Sequence, residues 1–119
     1  MKIELKKDFT WSLVVPSSMG VRITSVNSQP VHCSDTFHMQ VTSAETNVAS
    51  VSSYLGLPVK VLTTFVKESP IARMIKDNLS GRHMVYEGVD VEQGGPCGYL
   101  HQFNIADTGY GSRVPIVQN

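Results

Sequence analysis

The chain has 119 residues, 41% of them hydrophobic and 17% charged, which suits one globular domain and excludes a disordered tail. Ten Lys and Arg balance ten Asp and Glu, so no basic excess points to nucleic acid. No apolar run approaches a membrane span. Zero net charge lowers solubility and favours self-association.

Residues 1–11 are charged and lack a clean period; Met1–Asp8 has no apolar h-region, so no secretory signal is expected. Trp11–Val15 is a short apolar run closed by Pro16, which marks an edge or an end because proline cannot donate to a ladder. Met19–Val26 alternates, with Met19, Val21, Ile23 and Ser25 on one face. Asn27-Ser28-Gln29-Pro30 reads as a turn. Val31–Val41 reads as a second extended region, with Phe37, Met39 and Val41 on one face.

A helix follows. Thr42 and Glu45 have capping-box spacing, and Val48, Val51 and Leu55 recur as one apolar face. Gly56 stands where a helix end wants a left-handed residue. Asn47 falls in the first turns, where free N–H groups and the positive dipole end gather. It either serves a polar ligand or only helps the helix to start. Val59–Val66 is a near-continuous apolar strand, which suggests burial on both faces. Ser69 and Pro70 then start a second helix with Ile71, Met74, Ile75 and Leu79 as its stripe and Gly81 as its stop. Arg73, Lys76 and Arg82 suit its C-terminal half. Strand, helix, strand, helix implies an α/β unit with right-handed crossovers.

From Gly88 the helical period is lost. Val85–Glu92 and Gly98–Asn104 are extended around a Gly94-Gly95-Pro96 turn, and Arg113–Gln118 is a last extended piece after the loop at Asp107–Ser112. The glycines of both loops read as hairpin turns, since neither run has phosphate-loop spacing. The four histidines, Cys33 and Cys97 show no metal-ligand spacing. Cys33 is expected as a packed small apolar residue, and two cysteines leave a reduced, cytoplasmic setting as the default.

The run SAETNVASVSSYLG (Ser43–Gly56) resembles the N-terminal signature of ribokinase-like, PfkB-type carbohydrate kinases. LPVKVLTTFVKESPIARMIKDNL (Leu57–Leu79) is similar to that family's next strand and helix, and MGVRITSV and FHMQVTSAE to its first strand and sugar-site approach. The closest subgroup is the 2-keto-3-deoxygluconate kinases. The resemblance runs from about residue 12 to 119 and implies an α/β fold: a partial ribokinase-like three-layer core with a β-sheet lid. Residues 1–119 are then one domain, with the core and some lid strands at about 12–87 and a β-lid tail at about 88–119.

The resemblance carries Asn47 over as a sugar contact, with Ser43, Ala44 and Glu45 on the adjoining loop. Tyr99 and His101 on a lid-like strand are candidates to pack against the ligand, and Arg22 to reach an acid; a solvated strand charge is the plainer reading of Arg22. The chain departs from the family at Thr42 and Ser43, where a Gly-Gly pair is usual, at Val66, usually Gly, and at Ser17 and Ser18, often Gly-Glu. These changes oppose close backbone approach to a ligand. Asp107-Thr108-Gly109 is similar to part of the family's anion-hole motif, but its glycines are displaced and no Asp follows, so the likeness is taken as chance. The family's members are much longer. A sugar-binding and lid part without catalytic residues is expected, with ATP and Mg only in a full-length relative. The other reading is a non-catalytic, self-associating or partner-binding protein. Either way the expected partners are a small sugar or sugar acid and a second copy in a homo-oligomer, with no nucleic acid and no membrane.

Overall fold

The computed structural model describes residues 8–94 and 100–118. Chain order gives β1 (Leu13–Pro16), β2 (Gly20–Ser25), β3 (Phe37–Thr42), α1 (Ala44–Tyr54) and β4 (Val59–Val66). Then come α2 (Pro70–Gly81), β5 (Val85–Val91), β6 (Gln102–Asp107) and β7 (Ile116–Gln118). The strands form two sheets. The core sheet is β1-β4-β5, all parallel. The second, a lid, runs β3-β2-β6-β7, with β2 antiparallel to β3 but parallel to β6. The fold is therefore α/β, with the lid leaving and rejoining the core where the parallel strands end.

Periodicity explains the core. Val59, Val61 and Phe65 of β4 are buried, and α2 lays Ala72, Ile75 and Leu79 over them. Ser69 caps α2, its Oγ accepting from the N–H groups of Ile71 (3.2 Å) and Ala72 (3.4 Å), with Pro70 at the first helical position. Pro16 ends β1, an edge strand, where its missing donor costs nothing. At the base of the lid, a Cβ on Gly20 would lie 2.5 Å from the Gln102 carbonyl oxygen, so only glycine lets β2 and β6 approach this closely.

Several expectations change. In α1 the buried residues are Thr46, Ala49 and Ser53. The predicted apolar face points outward: Val48 is 67% exposed, Val51 62% and Leu55 74%. Small side chains let α1 sit close to the core sheet, and that close approach selects its inner face over hydrophobicity. β4 is buried on one face, while Leu62 on the other is exposed. Val31–Cys33 is a short 3-10 turn, and β3 begins only at Phe37. Cys33 on that turn is an exposed free thiol, not a packed one. β5 and β6 do not form a hairpin. They lie in different sheets, so the core runs on past Gly88 to Val91. Gly109 does turn a hairpin, between β6 and β7. No helix among the described residues is long and apolar enough to cross a membrane.

These burials separate two substitutions. Ile75→Ala removes a fully buried side chain and should cost about 2–5 kcal/mol. Val51→Ala, although on the stripe the sequence marks as inner, should stay within about 0.5 kcal/mol. Urea unfolding of both variants reads the difference, and equal losses would place the outer face of α1 inside the fold.

Candidate functional site

The site is built at the start of α1. β3 delivers Ser43 in an extended conformation (φ −170°, ψ 132°), and its Oγ accepts from the Thr46 N–H at 3.1 Å. The cap is thus Ser43, not Thr42, and Glu45 lies in the first turn. Glu45 Oε2 lies 3.0 Å from Ser43 Oγ and 3.1 Å from Ser17 Oγ, and the two hydroxyl oxygens are 2.6 Å apart. With one proton per hydroxyl, a relay from Ser17 to Ser43 to Glu45 satisfies all three groups. The backbone N–H of Glu45 itself, then Ser43 and Ser17, hold this carboxyl below the usual carboxylate range. Ser17 and Ser43, two of the positions that depart from the sugar-kinase pattern, therefore meet and compensate each other.

Two hollows open beside this triangle, and both are lined by Thr42. The smaller, about 290 Å³, is lined by Ser18, Ser43, Ala44, Glu45, Gln102 and Asn104. The larger, about 430 Å³, takes in Arg22, Gln40, Asn47, Asn78 and Arg82. Between them Arg22 Nε donates to Asn104 Oδ1 at 3.1 Å. This pair follows from register, since Arg22 lies opposite Asn104 across β2 and β6 and opposite Gln40 across β2 and β3. Arg82, just after α2, runs its side chain along α1, where Nη1 donates to Asn47 Oδ1 (3.1 Å) and Ser50 Oγ (3.3 Å). The Ser53 hydroxyl donates to the Arg82 carbonyl and fixes its backbone.

The structure so brings Ser43, Ala44 and Glu45 together in one hollow and Asn47 with Arg22 in its neighbour. His101 lies apart from them. It lines a third hollow with Ile71, Leu100 and Phe103, and its Nε2 accepts from the Val66 N–H at 3.2 Å. Tyr99 lies outside the described residues. Arg82 and Asn104 were not singled out by the sequence. Each meets its partner only through tertiary folding, 35 and 82 residues away, and no local pattern announces that.

Asp107 serves the lid itself. Its Oδ1 accepts from the Gly109 N–H (3.1 Å) and lies 3.2 Å from Arg113 Nη2, which also donates to the Ser28 carbonyl. Chiefly the Gly109 N–H holds this carboxyl low. Gly109 has φ +70°, and a Cβ there would lie 2.5 Å from the Arg113 carbonyl oxygen. The Asp-Thr-Gly run is a clamp on the β6–β7 loop.

No family model and no curated protein matches this sequence. Solved structures do. A PfkB-family carbohydrate kinase from Listeria grayi superposes with a TM-score of 0.77 at 20% identity, over 89% of this chain and 31% of its own. The chain has the fold of a PfkB-type carbohydrate kinase. A PfkB protein from Polaromonas matches at TM-score 0.74 and 18% identity, over 92% of this chain and 35% of its own. The 2-dehydro-3-deoxygluconokinase of Thermotoga maritima gives 0.69 and 16%, over 89% and 31%. The chain spans about a third of the length of these kinases. Within the kinase fold it corresponds to part of the α/β core together with a lid.

His101 gives a pH test of the lid–core junction. Burial pushes its pKa below the ordinary histidine value, outweighing a bond to the Met19 backbone that raises it. The unfolded chain therefore binds the proton more readily. The stabilisation is complete above the unfolded value of about 6.5 and is lost as pH falls through the lower folded value. Urea midpoints should fall on acidification, and His101→Gln should flatten that fall. An unchanged slope in the variant would assign the pH response to other groups.

Proposed function

We propose that this chain forms the sugar-side and lid part of a carbohydrate kinase, and that it binds a small sugar or sugar acid without transferring phosphate by itself. The observation that carries this reading is the start of α1. Asn47 and the Ser43–Glu45 turn open onto adjoining hollows at the foot of a β lid, inside a kinase fold. Phosphoryl transfer needs the nucleotide phosphates held, their charge neutralised and the acceptor hydroxyl set against a base. Among the described residues, the one Asp-Thr-Gly run clamps a lid loop. ATP and magnesium belong in this reading to the fuller kinase fold. A reducing cytoplasm suits the free thiol of Cys33.

Calorimetry with 2-keto-3-deoxygluconate tests the binding half. The expected result is measurable heat that Asn47→Ala weakens about tenfold, the worth of roughly one good hydrogen bond. Unaltered binding in the variant would remove Asn47 from the site. Coupled detection of ADP, with ATP, magnesium and the same sugar, should stay at the no-protein blank. Turnover that vanishes in Asn47→Ala would overturn the non-catalytic half.

The lid supports a second reading, self-association. Met39, Ile23 and Ile105 stand in one row across β3, β2 and β6, and Met39 and Ile105 are exposed with Phe37, Phe103 and Ile116 on the same face. Such an apolar sheet face seeks a cover. A homodimer through this face should sediment at twice the chain mass, and Ile105→Asp should return it to monomer with its circular dichroism intact. A wild-type monomer at high concentration would sink this reading.

A further inference from the structure

We infer that the larger hollow, between β2, β3, α1 and α2, is an anion subsite in which Arg22 and Arg82 together read the carboxylate or phosphate of a small polyol. The inference rests on the sugar-binding reading above and adds what that site selects. Its first support is the charge balance. Lys60, Lys67, Lys76 and Arg113 each have a carboxylate within ion-pair distance. Among the described residues neither Arg22 nor Arg82 has one, and no acidic side chain lines the hollow they share.

The second support is how the two guanidinium groups are held. Arg22 spends only Nε, on Asn104, and Arg82 spends only Nη1, on Asn47 and Ser50. Each is fixed from one side by neutral oxygen acceptors, which position a cation without cancelling its charge. Two nitrogens of each group remain without a partner among the described residues, enough for two-point contact with a carboxylate or phosphate. Both side chains are half-buried, so their field is screened less than that of a fully exposed arginine.

The third support is the polar remainder of the wall. Asn47 gives its Oδ1 to Arg82, which leaves its amide N–H₂ as a donor. Asn78 Oδ1 is shut from solvent with no partner among the described residues, a deficit that a hydroxyl donor reaching it would relieve. Gln40 completes a wall suited to hydroxyls beside an anionic end.

Three probes at low ionic strength test this: glucose, gluconate and glucose 6-phosphate, titrated calorimetrically into the whole chain. At least one anion should bind about tenfold or more tightly than glucose, the worth of charge-assisted hydrogen bonds. Whether gluconate or the phosphate ester leads identifies the group. Arg22→Gln and Arg82→Gln should each remove most of that advantage, leave glucose binding as it was, and keep the wild-type melting profile. Arg22 stands on the lid and Arg82 beside α1, so loss of fold in one variant leaves the other to decide. Added salt should erode the preference for the anion. Equal binding of glucose and both anions would overturn the anion subsite while leaving the sugar reading intact, as would a preference that both variants retain. No binding of any probe would overturn both.

Discussion

Pairing along both sides of β4 is the constraint on which the rest of this structure depends. β4 accepts β1 on one edge and β5 on the other, all in parallel. Parallel neighbours need crossovers, and right-handed ones taken twice in the same direction place α1 and α2 on one face of the sheet. That shared face lets Arg82, at the end of one helix, reach Asn47 and Ser50 on the other. The geometry of the larger hollow is thus inherited from strand order.

The lid obeys a different logic. It uses the same chain, but its strands enter from both ends of the core: β2 and β3 between β1 and α1, β6 and β7 after β5. Their union is a parallel β2–β6 pair, closed at its base by the approach of Gly20 to the Gln102 carbonyl. The row Gln40–Arg22–Asn104 crosses that seam. Residues from both lid segments therefore have to be in register before the wall of the site exists.

Much of this was legible in the sequence. Ser69-Pro70 and the Ile71–Leu79 stripe defined α2, and the Ser43–Gly56 run pointed to α1 and to the kinase fold. Three things were not legible, each for a physical reason. The inner face of α1 is made of Thr46, Ala49 and Ser53, so a hydrophobicity pattern selects the wrong side when close packing favours small residues. The separation of β5 from β6 into different sheets is a long-range choice that a glycine turn between two extended runs does not reveal. Arg82 reads locally as a cation suited to a helix end, and only the packing of α1 beside α2 turns it toward Asn47.

The register of β1 against β4 also bears on how the chain reaches this structure. Ser12 bonds to Pro58 across 46 residues, and the β2–β3 hairpin and α1 lie inside that loop. By contrast, β4, α2 and β5 follow one another without interruption. Closing a longer loop costs more entropy, though only logarithmically in its length, so contacts near in sequence are rewarded first. The β4–α2–β5 unit and the β2–β3 hairpin are the natural early pieces, and β1 is the late arrival. Until it docks, the inner edge of β4 stands open with Val59 and Val61 beside it. The interval before that closure is when the chain is most exposed to pairing with another copy of itself.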